Sequence, residues 1–483
     1  MPINPKKNST QTESDPRTRE TQGVKTLLGD PKKAMIRLSL PMIAAMSVQT
    51  LYNLVDSIWV SGLGSESLAA IGFVFPFFFM VMALAGGLGV GAGSAISRRI
   101  GARDKSGADH VAAHSILFMF ILVILTTLPL LLFAEKIFTL IGAAKAVVPA
   151  VAYGRIIFGG SIFIFFSNLA NSILRSEGDA KRAMRAMVIG AGLNIVLDPL
   201  LIYVLKMGIA GAAWATLISL AVSCLILLNW LIWKKITYVS FRFRGFRFSK
   251  NILRDILGVG LPASLSHLSM SITMLIVTTI IVRVGSTDGV AVYTAGWRIV
   301  SFATLPLVGI ATAVVSVSGA AFGARAYDKV DISHVFAVKM GLIIEGAVAL
   351  LVMLGAPLLA ALFTHSEGTS YLGPDLIRFL RITAFFYPTV ALGMFSSAMF
   401  QGVGKGINAL MVTFLRTVLL TTLLTAGLGI WLDFGLPGIW WGLVGANMSG
   451  SVIAFIWARS YIAGLRSPGK KMAETAVFIP SGE

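Results

Sequence analysis

The sequence predicts an all-α integral membrane protein: twelve transmembrane helices in two pseudo-symmetric six-helix lobes around a central cleft. Three observations predict it. The 483-residue chain is 56% hydrophobic and 13% charged, too little charge to cover a soluble surface of that size. Its basic residues collect in alternate segments between apolar runs, and its second half repeats its first.

The charge pattern sets topology. Thirty Lys and Arg fall in segments 1–38, 97–111, 175–185, 234–254, 323–333, 401–408 and 459–483, against four in the alternate segments. This bias puts both termini in the cytoplasm of a cell-membrane protein. The net charge of +18 is therefore a topology signal, and no nucleic-acid partner is expected. Residues 1–34 are polar, carry no secretory signal and read as a disordered cytoplasmic tail. The single cysteine, Cys224, falls in an apolar run, so it reads as core filler with no disulfide.

Runs long enough to cross a bilayer (about 20 residues) lie near 36–61, 68–96, 111–133, 148–174, 183–205 and 209–233, then 255–283, 289–321, 333–362, 374–401, 408–430 and 436–461. The expected parts are a first lobe over 35–233, a basic linker over 234–254, a second lobe over 255–462 and a tail over 463–483.

The lobes repeat. Leu40-Pro41 matches Leu261-Pro262, and Gly101-Ala102-Arg103 matches Gly323-Ala324-Arg325. "RSEGDA" (175–180) matches "QGVGKG" (401–406), and "GIAGAAW" (208–214) matches "GLPGIWW" (435–441). Each copy has an even number of spans, so both enter the membrane the same way and the symmetry axis runs along the membrane normal. Two such lobes rocking about a cleft give alternating access, a transporter architecture; repeats of this sort are less usual in channels and membrane enzymes.

Acids present in only one copy mark where chemistry is expected. Asp56 aligns with Val277 and Asp198 with Thr425. Counted along their spans, Asp56, Asp198 and Thr216 all lie about 8–11 Å below the outer surface, in the first lobe. Gln49, Tyr52, Asn53 and Asp56 form one stripe at spacings of three and four; Asn194 stacks on Asp198. Pro199 kinks its helix and frees carbonyls beside Asp198. Asp56, Asp198, Asn194, Thr216 and those carbonyls make an all-oxygen site for a proton or a small hard cation such as Na+. Each carboxylate at membrane depth costs about 2.5–3.5 kcal/mol, so retaining two without a basic partner calls for a function.

Other polar residues carry less. Asn168 and Asn171, three apart, read as lining the cleft. Arg298 and Glu345 agree in depth and read as a structural ion pair in the second lobe. His267 reads as a hydrogen-bonded core residue, and Lys339 as snorkelling to the interface. The Gly-rich stretch 86–94 lies inside a span with no preceding strand, so it reads as close helix packing rather than a phosphate loop. His114 has no carboxylate mate for catalysis, and no metal cluster, nucleophile elbow or cofactor motif is present.

"QTLYNLVDSIWVSGLGSESLAAIG" (49–72), "ILRSEGDAKRAM" (173–184) and "GLNIVLDPLLIY" (192–203) resemble the multidrug and toxic compound extrusion (MATE) family, in its archaeal and bacterial DNA-damage-inducible-type branch. The resemblance runs from about residue 24 to 465. It implies a secondary antiporter that exports cationic or amphipathic drugs in exchange for H+ or Na+. It also implies a cation site at Asp56, Asn194, Asp198 and Thr216 with Tyr52 beside them. Asn168 and Asn171 match its drug pocket; Gln49, Tyr52, Asn53 and Asn194 complete the expected substrate contacts. A monomer in the lipid bilayer is expected. The main rival, a lipid or lipid-linked-precursor flippase, would need a more strongly cationic cavity.

Overall fold

A computed structural model describes residues 21–143, 146–234, 236–241, 246–365 and 369–467, and among these no strand occurs. The first lobe comprises α1 (Gln22–Leu28), α2 (Pro31–Ser61), α3 (Ser65–Gly101), α4 (Lys105–Leu132), α5 (Ala134–Leu140), α6 (Val147–Gly159), α7 (Ser161–Ser176), α8 (Ala180–Pro199) and α9 (Gly208–Leu228). The second comprises α10 (Lys250–Ala303), α11 (Leu305–Gly323), α12 (Tyr327–Ala361), α13 (Gly373–Thr383), α14 (Tyr387–Gly402), α15 (Gly406–Phe414), α16 (Thr421–Ala426) and α17 (Gly435–Arg466). Among the described residues eleven segments are long and apolar enough to span a bilayer, and the pair α6–α7, bent by 43°, makes a twelfth when taken as one span. The protein is a multi-pass membrane protein. Exposed Ile343, Leu350, Leu351, Leu354 and Leu358 on α12 would be a liability in water and are at ease against lipid tails.

Local chemistry starts these helices. Asp30 accepts from the Lys32 and Lys33 N–H groups, with Pro31 at the first turn. Asp104 accepts from Gly107 N–H, and Asp179 from Arg182 N–H. Residues 22–28 and 31–34 are helical, which corrects the expected disordered tail over that stretch. The tail was judged on its polarity, but Val24 and Leu27 are buried and Lys329 Nζ donates to the Leu28 and Gly29 carbonyls at 2.8 and 3.0 Å. Residues 1–20 and 468–483 of the expected tails lie outside the described residues. A second departure is α10, whose helical bonding runs unbroken from the seventh span into the eighth. Its path still folds back, since a Cβ on Gly289 would stand 2.9 Å from the Ile281 side chain.

The repeat extends to backbone conformation. Positive φ recurs at Arg103 and Arg325 (57° and 54°), Gly178 and Gly404 (83° each), Lys206 and Asp433 (54° and 53°), and Gly208 and Gly435 (56° and 65°). π-helical turns follow at Leu200–Val204 and at Gly427–Trp431, again matching positions.

The lobes meet on their basic side through small residues in symmetric pairs. A Cβ on Gly101 would strike the Ala320 carbonyl, and one on Gly323 the Arg98 carbonyl. Likewise a Cβ on Gly87 would strike Ser264, and one on Gly309 would approach Ile43 N at 2.8 Å. Gly89 and Gly93 pack α3 on Ser172 of α7. The Gly-rich stretch thus serves close helix approach, as its sequence implied. Arg98, buried on α3, adds a bond to Asp255 on α10 at 2.5 Å and one to the Gly402 carbonyl at 3.2 Å.

The described part of the linker is tied to the first lobe. Glu177 accepts from the Tyr238 and Val239 N–H groups at 2.9 and 2.7 Å, and Asp109 from Ser240 N–H at 2.7 Å. His114 Nδ1 lies 2.7 Å from the His110 carbonyl, so it carries the proton, and Nε2 accepts from Ser249 N–H at 2.8 Å. Burial pushes the Glu177 carboxyl up to about 8, against the pull of its two N–H donors.

Candidate functional site

Three first-lobe helices bring the predicted acids together. Asp198, fully buried near the end of α8, and Asp56, half-buried on α2, place their carboxyls within hydrogen-bonding reach of each other. With Asn194 Nδ2 donating to Asp198 Oδ2 at 2.8 Å, its Oδ1 accepts from Thr216 N–H at 3.1 Å. The reversed amide would offer only a 3.5 Å contact to Thr216 Oγ1, so the first orientation is assigned. The Tyr52 side chain lies close to that of Thr216. Thr216 Oγ1 also lies 3.1 Å from the Ala212 carbonyl of its own helix. Among the described residues neither acid has an ion-pair partner, and Asp198 Oδ1 has no hydrogen bond.

The kink at Pro199 takes a specific form. The chain passes straight from α8 into the π-helical turn Leu200–Val204, where Leu205 N–H bonds the Leu200 carbonyl at 2.9 Å. Such wide turns cluster at functional sites.

One member of the site escaped the sequence reading. Tyr153, on α6, lies near Asp56, Tyr52 and Asp198. It sits on the span that bends at Gly160, among apolar neighbours, so no periodicity singles it out; its level in the bundle is the only signal.

The remaining expectations divide. On α2, Gln49 is half-buried and Asn53 exposed, each with no side-chain hydrogen bond among the described residues. Asn168 and Asn171 sit beyond the bend, on α7. Asn168 Nδ2 donates to the Ile164 carbonyl and Asn171 Nδ2 to the Ser167 carbonyl, leaving the buried Asn171 Oδ1 unpartnered. Measured along the bent span, Asn168 and Asn171 lie about 22 and 27 Å from Tyr153, so they form a separate group from the acids. The Arg298–Glu345 ion pair does not form. Arg298 is exposed and lines a cavity of about 560 Å3 with Thr278, Thr294 and Phe363. Glu345 is fully buried beside Tyr387 with both oxygens unpartnered. Agreement in depth suggests the pair but carries no azimuth, and here one side chain is exposed while the other is fully buried. His267 is exposed near Gly86 rather than hydrogen-bonded in the core. Among the described residues no cluster of His, Cys, Asp and Glu suits a metal.

Known proteins carry the same architecture. The MatE family model matches residues 41–200 and 262–426, one segment in each lobe. The chain belongs to the MatE family. Membership makes it a transporter and not an enzyme. The multidrug export protein MepA of Staphylococcus aureus (strain NCTC 8325 / PS 47) is 27% identical over 417 residues, covering 85% of this chain and 90% of MepA. Among solved structures, an outward-facing multidrug resistance MATE transporter of the MOP superfamily aligns with a TM-score of 0.90. It is 48% identical and covers 93% of this chain and 100% of its own. A MOP superfamily transporter from Pyrococcus furiosus, whose binding pocket of reverse polarity was taken to suggest a different function, aligns equally well, with 48% identity and the same coverage.

Proposed function

We propose that this MatE transporter is a multidrug efflux antiporter of the cell membrane, with both termini in the cytoplasm, and that the Asp56–Asp198 pair is its coupling site. Exported substrates are cationic or amphipathic organic compounds, and the driving ion is H+. The observation that carries this reading is the contact between two unpaired acids in one lobe. Two carboxyls within hydrogen-bonding reach need a proton between them. Asn194 donates its N–H to Asp198 and commits its oxygen to Thr216 N–H, which favours H+ over Na+; a cation would ask that oxygen to turn inward. The lobes are closed on the basic, cytoplasmic side by the Gly101–Ala320 and Gly323–Arg98 contacts. From this state protons enter from outside, and their release inward restores affinity for drug. For an uncharged amphipathic substrate, one proton moving down about 100 mV gains about 2.3 kcal/mol, a concentration ratio of about fifty; for a monocation exchanged one for one no net charge moves, and the pH gradient is the drive.

The test is ethidium transport by purified protein in liposomes, with pH and sodium gradients imposed separately. A pH gradient alone should drive uphill transport, and Asp198→Asn should abolish it while the protein stays folded. Uphill export by Asp198→Asn would sink the assignment, and transport driven only by sodium would reassign the ion.

A further inference from the structure

On the outer side of the acid pair lies a small apolar cluster separate from the main core. Val60, Ile202 and Ala212 are buried together, with Trp59, Leu63, Ile71 and Tyr153 packed around them. Each of the three stands one turn, about 6 Å, outward of a site residue: Val60 beyond Asp56, Ile202 beyond Asp198 and Ala212 beyond Thr216. The cluster therefore covers the pair on the side away from the cytoplasm. Towards the cleft, Asp56 stays half-exposed.

A single hydrogen bond ties this cap together. Tyr203, in the π-helical turn behind Asp198, donates its hydroxyl to the Trp59 carbonyl at 2.5 Å. Trp59 lies in the last turn of α2, where its carbonyl otherwise accepts only from Gly62 N–H, at 3.3 Å. The rings also meet edge to face, their centroids 6.1 Å apart. Gly62 makes room for the hydroxyl, because a Cβ there would fall on Tyr203 Oη. The wide turn after Pro199 aims position 203 at α2. The second lobe keeps the turn, at Gly427–Trp431, but its matching position is Ile430, which has no hydroxyl. The tie thus occurs in the lobe that has the acids.

We propose that the Tyr203–Trp59 hydrogen bond is a latch that holds this apolar cap shut over the Asp56–Asp198 pair, so that protons reach the pair from the cleft and not straight down the bundle. The latch makes Tyr203 a positioning residue: it touches neither proton nor drug, and it keeps the end of α2 seated on α8 and α9. The proposal rests on the antiport reading above. With the latch gone, the end of α2 lifts away, water enters above the acids and protons cross without drug.

Tyr203→Phe removes the hydroxyl and keeps the ring; Gly62→Ala displaces the hydroxyl by an independent route. Each is reconstituted in liposomes loaded with a pH-sensitive dye and given an external acid pulse without ethidium. Proton entry should rise about tenfold, the population factor that one net hydrogen bond holds back. Ethidium exported per proton should fall to match, while its KM stays within about twofold, since binding contacts are untouched. Proton entry and coupling ratio unchanged in both variants would overturn the latch. Asp198→Asn is run in parallel. If it is inactive while both latch variants behave as wild type, only the latch is wrong. If it still exports uphill, the antiport reading fails and the latch falls with it.

Discussion

The two lobes share a backbone and differ in what fills one place in it. In the first lobe, Asp56 and Asp198 face each other beside Asn194, Thr216, Tyr52 and Tyr153. In the second, the matching positions are Val277 and Thr425, both fully buried, and Thr425 Oγ1 turns back onto the Thr421 carbonyl at 2.6 Å. The same wide helical turn follows in each. So the bent helix is scaffold, and the acids are an addition to one copy of it. In the antiport proposed above, a symmetric frame would supply the motion, and one asymmetric pocket would let a proton bias it.

This contrast can be broken in three further ways. The largest effect is expected from Val277→Asp, which puts a carboxylate into the sealed counterpart. It should cost about 3 kcal/mol or more, because the site offers no partner and the depth penalty applies in full. Thermal unfolding in detergent would show a markedly lower midpoint. A variant as stable as the parent would mean the second lobe also accepts charge at that level.

Next comes Asn194→Ala, which removes a donor from Asp198 and an acceptor from Thr216 N–H. Leaving such groups unpaired costs about 1–3 kcal/mol. Proton-driven ethidium export should fall about tenfold, while Asn194→Gln keeps part of it. An unchanged rate would show that the pair works without its amide support.

The smallest effect is expected from Glu345→Gln. This carboxyl has no partner to lose, so transport should stay within about twofold and stability should hold or improve. Loss of uphill export in this variant would place a second coupling group in the second lobe and end the asymmetry.

Much of this was legible in the residues, for physical reasons. Hydropathy fixes span number because a bilayer has a set thickness. The acids stand out because charge in lipid is expensive. Counting residues along a span gives depth, and depth brought Asp56, Asp198 and Thr216 to one layer. Depth alone says nothing about azimuth, which is why Arg298 and Glu345 agree in level along the sequence and are not paired in the fold. Tyr153 was hidden for the opposite reason: a tyrosine among apolar neighbours carries no signal until three other helices close around it. Helix α1 was missed because two buried apolar residues, Val24 and Leu27, are too few to register as a pattern.

Glu177, Asp109 and His114 accept hydrogen bonds from N–H groups of the segment between the lobes. They bind that segment to the first lobe as far as Ser249, while Arg98 bridges to Asp255 only a few residues further on. On the rocking motion proposed above, parting of the bundles on that side would break the Arg98–Asp255 bridge, while the segment up to Ser249 would stay with the first lobe. A reporter attached at residue 240 travels as a passenger of the first bundle, and one attached at residue 258 as a passenger of the second. If the lobes rock as proposed, the distance between those two labels would change with each turn of the cycle.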